Sequence, residues 1–195
     1  DGECFENKEI VALMDAQQAV KLVREGANDF NINPNNIGLM GFSAGGHLSS
    51  TAGTHFTVSV IENAKNTSLR PDFLVLGYPV ISFMDSLAHM GSRDNMLGKN
   101  PSEDKKILYS NELQVTSETP PTFLVHAADD KTVKVDNSIL FFMALQKNKV
   151  ASELHIYQKG GHGFGLNNKA EPDNWLENVF VWLKANKFFK GNIDE

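Results

Sequence analysis

Apolar residues recur along the first part of the chain with a helical period. Leu13, Ala16, Val20, Val23, Ala27 and Phe30 fall at spacings of 3, 4, 3, 4 and 3, which is one face of a helix over roughly residues 11–29. The cluster Asn31-Ile32-Asn33-Pro34-Asn35-Asn36 ends it. Ile37–Met40 is a short unbroken apolar run with the length of a buried strand, and a helix follows to about Ile61. A second unbroken run, Phe73–Tyr78, follows Pro71. Residues 81–121 lose their period. Within them Asn100 reads as an N-cap, Pro101 as the first helical residue and Glu103 as the third, for a short helix ending near Ser110. After Pro120-Pro121, Thr122–Ala127 reads as a third buried strand. Val135–Lys149 reads as a helix with Ile139, Phe142, Met143 and Gln146 on one side. Glu153–Tyr157 alternates polar and apolar residues, as an edge strand does. Trp175, Val179, Trp182 and Asn186 mark a last helix, and most of Trp175, Phe180, Trp182, Phe188 and Phe189 are expected in the core. Helices and strands alternate along the chain, which predicts an α/β fold: a mostly parallel sheet with helices on both faces. No internal repeat or linker divides residues 1–195, so one domain is expected.

Composition narrows the partners. The net charge is −6 over 195 residues, with Lys and Glu dispersed, which argues against nucleic acid. Cys4 is the only cysteine, so no intrachain disulfide can form. No run of 18 apolar residues exists, so no membrane span is expected. The chain opens on Asp1 rather than Met, so its targeting and compartment stay open.

The chemistry centres on Gly41-Phe42-Ser43-Ala44-Gly45. This is G-x-S-x-G set between an apolar strand and a helix rich in small residues, the context of a nucleophile elbow. A nucleophilic serine must project from a tight turn, and glycines at 41 and 45 let neighbouring backbone approach. The helix that begins after Ser43 aims free N–H groups at the place where an oxyanion would develop. In a parallel sheet, ligands gather at the carboxyl ends of the strands, here loops 42–47, 78–86, 127–135 and 158–166. The third of these holds Asp129 and Asp130. Either can orient a histidine, and one of the two is expected to serve as a turn cap. The fourth holds His162 between glycines, a poor core residue and a good general base whose flexible backbone lets it approach Ser43. The order Ser, Asp, His is that of α/β-hydrolases. Ala44, Gly45 and His47 after the serine, with Pro79 and Val80 in the second loop, are candidate oxyanion- and substrate-binding positions. His47 lines the site, packs or faces solvent. His126 lies on a buried strand and reads as a satisfied core histidine. His55, His89 and His155 have no partner pattern. No H-E-x-x-H motif or Cys/His cluster indicates a metal, and no G-x-G-x-x-G follows a strand, so no cofactor is expected.

Gly41-Phe42-Ser43-Ala44-Gly45-Gly46-His47-Leu48, Tyr78-Pro79-Val80-Ile81, Pro120–Ala127 and Gly160-Gly161-His162-Gly163-Phe164-Gly165-Leu166 together resemble the α/β-hydrolase esterase/lipase family, in particular its acetyl-xylan-esterase-like branch. The family's acid lies in D-x-x-V-P. Asp130-Lys131-Thr132-Val133 fits that pattern, so the resemblance gives the acid to Asp130, with Lys134 where the family has Pro. It implies a serine carboxylesterase on short-acyl esters, such as acetylated carbohydrate. In that reading Ser43 is the nucleophile, His162 the base and the Ala44 amide one oxyanion donor. The segments here resemble strands five to eight, the C-terminal part of the fold. The family's first four strands, with the loop that supplies a second oxyanion donor, have no counterpart before Val11. The outer edge of strand Ile37–Gly41 would then be open, and these residues alone are expected to be a weak esterase at best, which either self-associates through that edge or needs another chain to cover it. A prolyl-oligopeptidase-type peptidase shares the elbow and residue order, and a non-catalytic remnant or binding module is the reading from a different class.

Overall fold

The computed structural model describes residues 7–189; Cys4 lies outside them. The elements in order are α1 (Lys8–Glu25), β1 (Gly38–Phe42), α2 (Ala44–Thr54), β2 (Phe73–Gly77), α3 (Met90–Leu97), α4 (Glu103–Leu108), a 3₁₀ turn (Asn111–Leu113), β3 (Thr122–Ala127), α5 (Asp136–Lys147), β4 (Ser152–Tyr157) and α6 (Trp175–Ala185). The four strands form one sheet in the order β1-β2-β3-β4, and every pair is parallel.

Side chains alternate across the sheet and sort the core into two layers. Leu74, Leu76 and Leu124 face α5 and pack on Phe141, Leu145 and Val150. On the same side, Leu39 also meets the α1–α2 cluster of Leu13, Ala16 and Ala52. Val75, Phe123, Val125 and Ala127 face the other way and pack on Trp175, Val179 and Trp182 of α6. Of the five aromatics, Phe180 falls off the α6 face that Trp175, Val179 and Trp182 define, and Phe189 follows the end of that helix; each is 37% exposed. The predicted edge strand is at an edge of the sheet. At the opposite edge β1 pairs only with β2 among the described residues, and Met40 is 46% exposed.

Several boundaries differ from the sequence expectation for local reasons. Helix α1 stops at Glu25, not near 29, with the Gly26 N–H donating to the Leu22 carbonyl. Asn28 and Asp29 then favour a turn, and Phe30 is left exposed. Helix α2 stops at Thr54, short of Ile61. The β-branched run after it disfavours helix, and the buried amide of Gln17 holds the segment by donating to the Val58 carbonyl and accepting from the Val60 N–H. Within the region that lacked a period, α3 forms with the His89 ring accepting from the Ser92 N–H as its cap. Helix α4 is capped by Ser102, which accepts from the Lys105 N–H, rather than by Asn100.

Helix α5 buries a different face from the one its apolar residues indicate. Asn137, Ser138, Phe141 and Leu145 are buried, and Met143 is exposed. The helix is turned by polar bonds. Asn137 Oδ1 accepts from the N–H groups of both Ile81 and Ser82, and its Nδ2 donates to the Lys134 carbonyl. Asn137 thus fixes the loop after β2 against α5. Asn137→Leu leaves two buried N–H groups without partners and is expected to destabilise the fold by about 3 kcal/mol. Urea denaturation measures this, with Met143→Ala on the exposed face changing stability by about 0.5 kcal/mol or less.

Candidate active site

Ser43 sits immediately beyond the end of β1 with φ 53° and ψ −120°, a conformation non-glycine residues rarely adopt. Its surroundings hold it there. The Ser43 N–H donates to the Gly77 carbonyl, extending the β1–β2 ladder by one bond. Its carbonyl accepts from the N–H groups of Gly46, His47 and Val80. The turn needs Gly46 because a Cβ there would come within 2.6 Å of the Pro79 Cβ. It needs Gly41 because a Cβ there would strike the Gly45 carbonyl and Ser49. At Gly45, where the sequence pattern places a close approach, a Cβ would meet nothing. Pro79 and Val80 lie buried behind the turn, Pro79 against Gly46 and Val80 in a cluster with Phe83, Tyr109 and Val133. The N–H groups of Ala44 and Gly45 belong to the first turn of α2, which has no acceptors within its own helix, and both residues are exposed.

The other candidates arrive from the carboxyl ends of β3 and β4. Ser43 Oγ lies 2.8 Å from His162 Nε2, and His162 Nδ1 lies 2.6 Å from Asp130 Oδ2. An ionised carboxylate only accepts, so Nδ1 carries the proton and Nε2 is free to accept from the Ser43 hydroxyl. The two adjacent aspartates divide their work in an unexpected way. Asp130 does both jobs considered for the pair: its Oδ1 caps the turn by accepting from Thr132 and Val133 N–H, while its Oδ2 faces His162. Asp129 accepts from the Gly161 N–H across the site and so ties the histidine loop to the acid loop. Burial opposes charge on Asp130, but the bonds from His162 and the Val133 and Thr132 N–H groups outweigh it and hold the carboxyl below its usual range.

The His162 loop is held, not loose. Its glycines supply left-handed backbone, with φ 61° at Gly161 and 83° at Gly163. Tyr78 Oη accepts from the Gly165 N–H, Trp175 Nε1 donates to the Gly165 carbonyl, and the buried Asn168 donates to the Lys159 carbonyl. The Tyr78 ring meets the His162 ring edge-on at 5.0 Å. Tyr78, Asn168 and Asp129 hold this loop in place; of the three, the sequence offered no sign of Asn168.

His47 turns away from the Ser43 hydroxyl. Its ring stacks on Phe83 at 4.2 Å and Nε2 bonds the Tyr109 carbonyl. It forms part of the wall of a cavity of about 430 Å³ that also touches Ala44. His55 bonds the Leu108 carbonyl and Thr54, and His155 bonds Glu153. His126 is fully buried and bonded, as expected, but one of its partners is Asp130. Among the described residues no group of three or more His, Cys, Asp or Glu side chains is arranged to hold a metal ion, and no helix is long and apolar enough to cross a membrane.

A parallel sheet with a strained serine at the end of one strand and an Asp and a His beyond its neighbours defines the α/β-hydrolase fold. The BD-FAE family model matches residues 6–145, and the chain belongs to that family; the dienelactone hydrolase family model matches residues 107–192. An acetylxylan esterase from Xylanibacter ruminicola is 39% identical over 176 residues, covering 88% of this chain and 35% of that protein. Endo-1,4-beta-xylanase B of Butyrivibrio fibrisolvens is 33% identical over 165 residues, covering 84% of this chain and 26% of that one. The chain therefore spans about a third or less of the length of these curated relatives. The crystal structure of an acetyl ester-xyloside bifunctional hydrolase from Caldicellulosiruptor lactoaceticus superposes with a TM-score of 0.86 at 44% identity, over 91% of this chain and 66% of that one. A thermophilic esterase from Thermogutta terrifontis shares the fold at 23% identity and a TM-score of 0.75, over 94% of this chain and 68% of that one.

Burial lowers the pKa of His47 from 6.5 to about 4, against the smaller opposing effect of the Tyr109 carbonyl. Between those values the unfolded chain binds a proton at this position that the folded chain does not, so stability falls as pH falls through the window. His47 alone is expected to remove about 3 kcal/mol between pH 6.5 and pH 4. His47→Gln should flatten that slope in urea denaturation at a series of pH values, and an unchanged slope would place the titration elsewhere.

Proposed function

We propose that the chain carries the catalytic residues of a serine carboxylesterase acting on short-acyl esters, in particular acetyl groups on xylan or a related carbohydrate. The observation that carries the reading is the continuous hydrogen-bond chain from Ser43 Oγ through His162 to Asp130. The substrate class is supported by the likeness to the acetylxylan esterase and the acetyl ester-xyloside bifunctional hydrolase.

In this mechanism His162 Nε2 takes the Ser43 proton as Oγ attacks the ester carbonyl. The Ala44 N–H, with Gly45 beside it at the start of α2, faces the developing oxyanion. The tetrahedral intermediate collapses, and the alcohol leaves with the proton that His162 returns. Water, activated by the same histidine, then releases the acid and restores Ser43. Asp130 fixes the tautomer of His162 and stabilises the imidazolium without itself taking the proton. Short acyl groups are expected in the cavity beside Ala44, whose wall includes His47 and Phe83.

Ser43→Ala should lower turnover of an acetyl ester by on the order of 10⁶, and a fluorophosphonate should label Ser43 alone. Labelling of another residue, or retained turnover, would remove the assignment. Asp130→Asn should cost about 10⁴ in kcat, whereas Asp129→Asn, which loosens only the Gly161 tie, should be far milder; the reverse ranking would give the acid role to Asp129. Acetyl esters should be turned over faster than esters of ten or more carbons. A preference for the long chains, or for a dipeptide amide, would remove the acetyl-esterase reading.

A further inference from the structure

His126 is a core residue of β3, yet it touches the proposed acid directly. Its Nε2 lies 3.0 Å from the Val133 carbonyl and 3.2 Å from Asp130 Oδ2. Both partners are acceptors, so Nε2 must carry a proton. Its Nδ1 lies 2.8 Å from Ser138 Oγ on α5. Burial lowers the pKa of His126, against weaker opposing effects of the Val133 carbonyl and Asp130, so the ring is neutral and Nδ1 accepts from the Ser138 hydroxyl. The tautomer is therefore fixed from one side by α5 and used on the other by the acid loop.

The consequence lies in the count of donors on Asp130. Its Oδ1 accepts from Thr132 and Val133 N–H, and its Oδ2 accepts from His162 and His126. Four donors fill the four lone-pair positions of a carboxylate whose side chain is fully buried. The carboxylate is rigid and planar, so the two amides on Oδ1 and the His126 N–H on Oδ2 together fix its rotation about the Cβ–Cγ bond and hold Oδ2 toward His162. The His126 N–H also draws charge from the oxygen that binds His162 and so limits how strongly Asp130 stabilises the imidazolium. The titratable groups facing the cluster are His162, packed on Tyr78, and Asp130 itself; α5 contributes the Ser138 hydroxyl.

We propose that His126, locked by Ser138, is a positioning residue for Asp130 that orients its Oδ2 toward His162 and moderates the basicity of the Ser43–His162 pair. The proposal rests on the Ser43–His162–Asp130 reading above. It assigns to a buried histidine a role in the reaction beyond filling the core.

The test compares His126→Phe, which keeps a buried ring and removes the donor, with His126→Gln, whose amide N–H falls close to the position of Nε2. Ser138→Ala, which removes the tautomer lock, is the milder third variant. Turnover of p-nitrophenyl acetate is measured across pH, with Ser43→Ala as control, and the His162 imidazole is titrated by ¹⁵N NMR. His126→Phe should lower kcat by on the order of tenfold, the size of one lost charge-assisted hydrogen bond, at unchanged KM. It should move the acid limb of kcat/KM, and the His162 NMR midpoint, to higher pH, because a carboxylate with one donor fewer binds the imidazolium more strongly. His126→Gln should restore most of both, and Ser138→Ala should shift both in the same direction by less. A residue that merely filled the core would lower the folded fraction without moving either midpoint. Folded His126→Phe with wild-type kcat and midpoints would overturn the proposal, as would His126→Gln impaired as badly as His126→Phe. Should His126→Phe not fold, Ser138→Ala with the wild-type His162 midpoint overturns it. Turnover that survives Ser43→Ala removes the catalytic reading and this one with it, whereas Ser43-dependent turnover untouched by His126→Phe overturns this one alone.

Discussion

A carboxylate has to remain charged inside the protein at Asp130, and much of the site is arranged around that requirement. An isolated buried carboxylate would take up a proton rather than stay ionised. Here four N–H donors reach it from three parts of the chain: the acid loop, the end of β3 and the loop after β4. The acid loop supplies two of them through its own turn, so Asp130 organises the segment that holds it. The histidines supply the others, so the same charge couples the loop after β4 to the strand beneath it.

The second constraint is the backbone of Ser43. A positive φ at a residue with a side chain is unfavourable by itself, on the order of 1–3 kcal/mol. It persists because β2 and the loop behind it hold both ends of the peptide, through the Gly77 carbonyl and the Val80 N–H. That loop is in turn fixed by Asn137 of α5. The elbow therefore depends on a helix that starts almost a hundred residues later. The register of the sheet does the rest: Phe42 pairs with Gly77, Gly77 with Val125, and Ala127 with Tyr157. The residues after these strand ends then meet along one edge.

The strands were legible because each is an unbroken or alternating apolar run bounded by turn residues, and Thr122–Ala127 carries its boundaries in the prolines before it and the acidic loop after it. Helix faces were less legible. In α5 the apolar residues occur on more than one side, so periodicity pointed to Ile139 and Met143. The buried side is instead set by Asn137 and Ser138, polar residues that satisfy groups far away in sequence. Helix α3 was illegible because a histidine ring caps it and its apolar residues do not repeat. The ends of α1 and α2 were misplaced because turn-forming residues and a β-branched run outweighed the apolar pattern that continued through them.

The sequence by itself determined which candidate residues gather at the strand ends. Ser43, His162 and an aspartate pair each follow an apolar strand, and parallel strands joined by helices necessarily place those ends side by side. It also determined the backbone freedom the histidine loop requires, through glycine at 161 and 163. Only the tertiary structure decided how the two aspartates divide their roles, that His47 is buried against Phe83 rather than turned toward Ser43, and that His126 completes the shell of Asp130. These outcomes depend on hydrogen-bond directions between atoms on different elements. Residue type and spacing fix which donors and acceptors exist, but only the packed fold fixes which of them meet.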